Sequence, residues 1–280
     1  MSDPRIKPRV PAVNHEHPLA RGLVGAWPMQ DGSGYTFRDV SGHEIHGAIP
    51  RGATPGTGLY GGCLDVPGTY DHSHITDNGP LVANADLPVL SGSWTASAWA
   101  RIDVAPTTNS VYLVGKSTDS AGARYQIQLT VLHTAPAGRI AVYIYDGTNI
   151  PGVVSPLTYV DGQWHHFLSQ RDVPADMIRL YIDGVLIAET TDTTTGSTVS
   201  TGPLQMGWRY DFGRRLNGAI GDVRLYDRAL TPSEVASMYY DKWSIYRSPE
   251  PVLAGTAAAG GFFEFDQLTG GMPDLRGGMV

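Results

Sequence analysis

Few side chains in this sequence could do chemistry, and their spacing limits each of them. His72 and His74 alternate in "YDHSHI", with Asp71 and Asp77 close by. An extended segment would put both imidazoles on one face, yet a structural zinc site takes four protein ligands. Asp39 and His43 in "RDVSGHEIHG" are the other loop candidates for a metal. Both sets read first as solvated loop residues, and no metal is expected. His165 and His166 are neighbours in a strand-like run, so they face opposite sides of a sheet and cannot act as a pair. No G-x-S-x-G elbow offers a nucleophile, and "GTGLYGG" (56–62) is a Gly-rich turn without the strand–helix context of a phosphate loop. Cys63, in the alternating "GGCLDV", reads as a small buried strand residue with no activating partner. Recognition is the remaining chemistry. Trp208, Tyr210 and Phe212 in "GWRYDFGRR" could stack on sugar rings, and Arg209, Arg214 and Arg215 could pair with acidic sugars. The competing reading is an edge hairpin whose aromatics cover the core.

The elements that must position these residues are strands. Of 280 residues, 41% are apolar, enough for a packed core, while 17% are charged, and the 34 glycines and 20 prolines favour turns over long helices. Short runs recur between turn signals: "GLVGAWPM", "GCLDV", "SWTASAWARID", "SVYLVGKS", "YQIQLTVLH", "RIAVYIYDG", "QWHHFLSQRD", "IRLYIDGVLIAET", "PLQMGW" and "AIGDVRLYD". In "SWTASAWARI" the apolar Trp94, Ala96, Ala98 and Ala100 alternate with Thr95, Ser97, Trp99 and Arg101. Asp183-Gly184 suits the positive φ angles of a tight hairpin, and Asp146-Gly147 and Asp161-Gly162 repeat the signal. "LTPSEV" predicts a short helix: Thr231 as N-cap, Pro232 at N1 and Glu234 closing a capping box. Val235, Met238 and Tyr239 share one side of that helix, which is expected to close an edge or end of the sandwich. The pattern as a whole predicts an all-β fold, an antiparallel sandwich or barrel.

The net charge of −7 and the absence of a basic block argue against nucleic acid as a partner. The single cysteine rules out an intrachain disulfide framework and fits a reducing cytoplasm. Residues 1–22 have no apolar h-region and no stretch has 18 apolar residues, so neither a signal peptide nor a membrane partner is expected.

Four stretches resemble the laminin-G-like, concanavalin A-like jelly-roll family. They are "GLVGAWPMQDGSGYTFRDVSGHEIHG" with its D-x-S-G-x-x-x-H-G loop, "SWTASAWARI", "QWHHFLSQRD…IRLYIDGVLIAE", and "LNGAIGDVRLYDRALTPSEV" near the end of the domain. The resemblance implies an antiparallel two-sheet jelly-roll sandwich over 22–243, flanked by an extended N-terminal arm (1–21) and a Gly-rich extended tail (244–280). Some relatives hold calcium near these loops with carboxylates. Gly221-Asp222 stands where the family often has Asp-Asp, which weakens that inference here. Glucanases of this fold carry E-x-D-x-x-E on one strand. The nearest match, "EFDQLT", has Glu264 and Asp266 but Thr269 in the third place and lies in the tail, so no catalytic residue and no enzyme activity are expected.

The flanks "NHEHPLARGLVGAW" and "DKWSIYRSPEP" are similar to the termini of laminin-G-like proteins encoded with bacteriophage virion genes. The tail spaces Phe262, Phe263, Phe265, Leu268, Met272 and Leu275 among glycine pairs, a composition suited to a strap that docks on a neighbour. The resulting expectation is a non-enzymatic virion protein, a capsid decoration or head/tail accessory assembled in the host cytoplasm. Its arms would grip other virion proteins and further copies of itself as a homo-oligomer, with no cofactor. The alternative is a carbohydrate-binding adhesion module recognising host surface glycans, with Trp208, Arg209 and Tyr210 at its site.

Overall fold

The computed structural model describes residues 11–30, 36–49, 53–58, 61–68, 81–83, 87, 90–117, 125–209 and 214–246. Two antiparallel eight-stranded sheets pack face to face. The first runs β14 (Val185–Thr191), β13 (Met177–Ile182), β12 (Trp164–Asp172), β7 (Trp94–Val104), β18 (Asn217–Tyr226), β5 (Gly61–Val66), β4 (Thr54–Gly58), with β1 (Leu23–Trp27) also paired to β18. The second runs β11 (Gly152–Thr158), β10 (Arg139–Tyr143), β9 (Tyr125–Val131), β8 (Val111–Ser117), β15 (Leu204–Met206), β6 (Leu81–Val82), β3 (Gly47–Ala48), β2 (Thr36–Phe37). A small hairpin of β16 (Trp208–Arg209) and β17 (Arg214–Arg215) stands beside them. This is the antiparallel jelly-roll sandwich that the alternation and the resemblance predicted.

Period 2 builds the core. Trp94, Ala96, Ala98, Ala100 and Ile102 of β7 point inward, as do Phe167 of β12 and Ile220, Val223 and Leu225 of β18. The second sheet answers with Val114, Leu129, Val142 and Met206, which lie in register across four strands. Asp183 and Gly184 take φ angles of +51° and +78°, the tight turn that joins β13 to β14. Two strands contain proline, Pro55 in β4 and Pro156 in β11. Each is an outermost strand, where a missing ladder donor is tolerated.

A second core lies outside the sandwich, on the outer face of the first sheet. Leu168, Tyr181 and Tyr226 of that face are covered by Val13, Leu19, Leu23, Leu230, Trp243, Ile245, Tyr246 and two residues of helix α1 (Pro232–Tyr240), Val235 and Met238. The capping box forms as expected: the Glu234 amide donates to Thr231 Oγ1 at 3.3 Å and the Thr231 amide to Glu234 Oε2 at 2.8 Å. The helix, however, seals a sheet face rather than an edge, because its apolar side meets the outward residues of β12, β13 and β18.

The described part of the expected N-terminal arm is also a correction. Residues 11–21 fold onto the domain through a short 3₁₀ helix (Pro18–Ala20), and the Asn14 amide donates to Ile245 O at 2.7 Å. Ser244–Tyr246 likewise form a 3₁₀ turn with Ile245 and Tyr246 buried, so the domain runs past residue 243.

Candidate functional site: a tyrosine and amide face on the second sheet

The outward face of the second sheet carries a different chemistry. Residues alternate out of the core on β9 and β10, so Gln128 and Thr130 point away from it, and so do Arg139, Ala141 and Tyr143. Tyr125 faces Tyr145 across a bridge, with ring centroids 5.4 Å apart. Tyr125 is carried to this face by a bulge, since Lys116 pairs with Ile127 but Ser117 pairs with Tyr125. Tyr112 completes the group, its hydroxyl donating to Ser117 Oγ at 3.2 Å.

Two glycines make the floor on which the rings rest. A Cβ on Gly152 would stand 2.2 Å from the Tyr143 ring, and one on Gly115 would stand 2.2 Å from the Tyr112 ring. The rings therefore lie against bare backbone, Tyr143 over its cross-strand partner. Tyr125, Tyr143 and Tyr145 are half-buried, which leaves ring surface and hydroxyls for a partner.

Between them the amides sink. Gln128 pairs across the ladder with Gly115, and Gly115 with Gln205. Gln128 is 7% exposed, and its Oε1 is buried without a hydrogen bond. An unpaired buried amide oxygen costs about 1–3 kcal/mol, which a donor from a ligand would relieve. The eight strands of this sheet contain no Asp or Glu. Glycoside hydrolysis needs two carboxylates, and these strands supply neither. What the face can do is stack rings and exchange hydrogen bonds with a polyhydroxyl ligand.

The residues singled out from sequence divide. Trp208 is 2% exposed, so its ring is packing rather than a stacking platform, in line with the competing reading of an edge hairpin. Arg209 is half-buried, with its guanidinium carbon 5.2 Å from the centre of the Tyr112 ring, so the hairpin borders the tyrosine face. Tyr210 and Phe212 lie outside the described residues, as do His72, His74, Glu264 and Asp266. The tail residues Phe262, Phe263, Phe265, Leu268, Met272 and Leu275 lie outside them too.

Asp39 is no metal ligand in waiting. Its Oδ1 accepts from the Ala26 and Ser41 amides at 2.8 and 2.9 Å, and its Oδ2 from Ser41 Oγ and the Ile45 amide at 2.7 and 3.1 Å. Four donors saturate a carboxylate, and the loop is thereby tied to β1. His43 Nε2 lies 3.1 Å from Leu23 O, closing the same loop. His165 and His166 do face opposite sides. His165 sits between Asp183 and Asp161, at 2.6 and 3.2 Å, and those carboxylates, Asp183 first, raise its pKa against the effect of burial. His166 is buried beneath Trp99, and burial, with Arg224 nearby, lowers its pKa to about 3.

Asp222 has a structural task as well. It pairs with Arg224, two residues on and on the same face of β18, at 2.6 Å, and both are nearly solvent-free. Tyr246 donates its hydroxyl to Asp222 Oδ1 at 2.6 Å, and Arg224 donates to Lys242 O. Burial opposes the arginine's charge, but Asp222 more than compensates and its pKa is raised. The pair pins residues 242–246 to the sheet.

The sheet order, the capped helix after β18 and the Asp39 loop can now be set beside known proteins. A family model described as concanavalin A-like lectin/glucanases superfamily, of laminin-G type, matches residues 72–236. The chain belongs to that superfamily. Solved structures share its fold at low identity. The binding domain of a paraclostridial mosquitocidal protein aligns with a TM-score of 0.60 and 17% identity, over 79% of this chain and 52% of that one. The receptor binding domain of botulinum neurotoxin D gives 0.60 and 13%, over 80% and 54%. Domain 4 of the extracellular arabinanase AbnA from Geobacillus stearothermophilus, solved with arabinotriose, gives 0.56 and 17%, over 78% of this chain and 98% of that domain. This chain thus spans about half the length of the two toxin structures and nearly all of the arabinanase domain.

The tyrosine face escaped the sequence reading. Its signal was present as the polar alternation of Gln126, Gln128 and Thr130 in "YQIQLTV" and of Arg139, Tyr143 and Tyr145 in "RIAVYIY". Only the sheet order brings the two runs side by side.

Proposed function

We propose that the chain is a non-catalytic carbohydrate-binding module whose sugar-contacting surface is the outer face of the second sheet. The observation that carries this reading is the trio of half-buried tyrosines, Tyr125, Tyr143 and Tyr145, set beside the buried and unpaired Oε1 of Gln128. Rings bind the apolar faces of pyranoses or furanoses, and the amide takes a hydroxyl proton. Membership of a lectin and glucanase superfamily supports the class, and the arabinanase domain solved with arabinotriose supports the ligand type. The absence of acids from these strands argues for binding without hydrolysis.

A glycan array tests it. Wild type should retain a defined set of oligosaccharides, and Tyr143→Ala or Tyr145→Ala should weaken binding roughly tenfold, the order of one lost ring or hydrogen-bond contact. A silent array, or binding indifferent to both substitutions, would overturn the reading.

A second reading keeps the phage resemblance. The two ends of the described chain meet on the opposite face, where the Asn14 amide reaches Ile245 O at 2.7 Å. Asn14 and Ile245 thus lie together away from the tyrosine face, as suits a module tethered to a larger assembly such as a virion. Deleting 250–280 should abolish incorporation into particles, and mass spectrometry of purified particles would read the loss. Unchanged incorporation would remove this role.

A further inference from the structure

The arginines on the outer side of the first sheet are committed to the protein. Arg101 pairs with Asp103, Arg171 with Asp192, Arg179 with Asp172 and Glu189, and Arg224 with Asp222, all between 2.6 and 3.0 Å. Arg139, on β10 of the second sheet, differs. It points outward and is half-buried, and its Nε is shut from water without a hydrogen bond. Among the described residues no carboxylate pairs with it. A guanidinium stays charged, so burying part of it without a partner has a cost that an arriving anion would remove.

Its neighbours along the strand set the scale. Arg139, Ala141 and Tyr143 alternate onto one face, so about 13 Å separates the Cα atoms of the arginine and the tyrosine. That is the span of a short oligosaccharide rather than of one ring. Between them Ala141 and its cross-strand partner Thr130 are fully buried, so the surrounding side chains close over them. Thr130 also spends its hydroxyl on Val111 O at 2.8 Å. The polar groups left for a ligand therefore stand at the two ends: the guanidinium at one, Tyr143 and the unpaired Oε1 of Gln128 at the other. The strands of this sheet hold no Asp or Glu, so none of their side chains repels a carboxylate.

We propose that the tyrosine face selects saccharides that carry a carboxylate, and that Arg139 is the residue that reads the charge. This deepens the carbohydrate-binding reading and rests on it. The guanidinium fork takes a carboxylate through two parallel hydrogen bonds, while Tyr143 and Gln128 hold the ring and a hydroxyl of a neighbouring sugar. The net charge of −7 opposes acidic ligands at long range, but salt at 0.1 M screens that field beyond about 10 Å and leaves the contact pair.

An array of uronic-acid oligosaccharides, printed beside their carboxyl-reduced counterparts and probed with the full chain, tests the assignment. In each retained pair the acid should bind roughly tenfold more tightly, the order of one charge-assisted contact. Arg139→Gln should bring the acids down to the level of their reduced forms. Arg139→Lys keeps the charge but not the fork and should keep only part of the preference. It also serves as the test should Arg139→Gln fail to fold, which a melting curve reveals. Tyr143→Ala should weaken both members of a pair alike. Equal binding of acid and reduced form, or a preference that survives Arg139→Gln, would overturn the assignment. So would an acid preference that depends on Arg139 while binding ignores Tyr143→Ala, because the charge would then be read away from the rings. Retention of neutral glycans alone, still sensitive to Tyr143→Ala, would remove the acid selectivity and leave the module reading standing. Silence across every glycan would remove the module reading and this assignment with it.

Discussion

The outer faces of the two sheets are built by the same alternation and finished in opposite ways. On the first sheet the outward side chains include a tryptophan, two tyrosines and a buried ion pair, and the chain spends residues 11–21, α1 and 241–246 covering them. On the second sheet the outward side chains include tyrosines and amides, and none of those terminal segments belongs to its packing. Covering the first face removes charge from water, which is tolerable only if each charge finds a partner. Buried polar atoms without a partner occur on both faces, Arg224 Nη1 and His166 Nδ1 on the first and Gln128 Oε1 on the second, but on the second the atom stands beside half-buried tyrosine rings. One face is thus an internal interface of the fold, and the other is the surface to which we assign binding.

The strongest way to break this contrast is to open the first face. Arg224→Met leaves Asp222 buried without its counterion, which should cost about 3–5 kcal/mol in urea unfolding. The double variant Asp222→Leu/Arg224→Met removes both charges and should recover most of the loss. Neither should alter glycan binding if the two faces are independent. Binding that falls with stability still intact would show the faces coupled.

Acid attacks the same face by a route that can be signed. Burial depresses the folded-state pKa of His166 to about 3 from the ordinary imidazole value of 6.5. Below pH 6.5 the unfolded chain takes up a proton that the folded one refuses, so stability falls as pH drops, by about 1.4 kcal/mol per pH unit. Between pH 6.5 and 5 the loss should be about 2 kcal/mol. His166→Gln should flatten that limb in urea titrations at the two pH values. His165 acts in the opposite sense. Its pKa is raised by Asp183 and Asp161, so its contribution is whole below pH 6.5 and is lost as pH climbs through the folded value. Two adjacent histidines therefore bracket neutrality, and a wild-type profile without an acid limb above pH 5 would contradict the sealed His166.

On the second face the expected change is in binding rather than in folding. Tyr143→Phe keeps the ring over Gly152 and removes the hydroxyl, so stability should hold while affinity for an array-selected oligosaccharide drops a few-fold. Gly152→Ala would drive a methyl into that ring and should damage both. A Tyr143→Phe variant that unfolds would mean the hydroxyl serves the fold.

How far these faces could be read in advance depended on range. The Asp183-Gly184 turn and the Thr231 cap were legible because their determinants sit within four residues. Alternation in β7 and β18 was legible for the same reason. It could not say what lies on top: Trp99 looked like a break in a polar face until Lys242, 4.1 Å from its ring centre, and Tyr239 arrived from far along the chain. Asp222 looked like the remnant of a cation site because its partner Tyr246 is remote in sequence. Trp208 looked available because a loop aromatic and a packed one have the same local neighbours. The tyrosine face needed a pairing order that joins β8, β9, β10 and β15, which no single segment encodes.

The smallest expected effect probes how the sealing is fastened at its edge. Glu234 serves the Thr231 cap and also takes a bidentate pair from Arg228, at 2.7 and 2.9 Å. Arg228 in turn donates to Arg21 O at 2.8 Å, so one carboxylate joins the helix start, the end of β18 and the N-terminal segment. Thr231→Ala removes one acceptor at the helix start and should cost about 1 kcal/mol, without loss of the Arg228 pair. The arginine, ahead of any other cause, holds the Glu234 pKa at about 2, below the ordinary value of 4.5. Its contribution is therefore complete above pH 4.5 and is lost as pH falls toward 2, a window that begins below the first half of the His166 limb. Hydrogen exchange of the 232–240 amides should rise in Thr231→Ala at neutral pH while amides of β8 and β9 keep their protection. Equal loosening of both sets would mean that the helix and the second sheet open together, and the two faces would no longer be separable parts of the molecule.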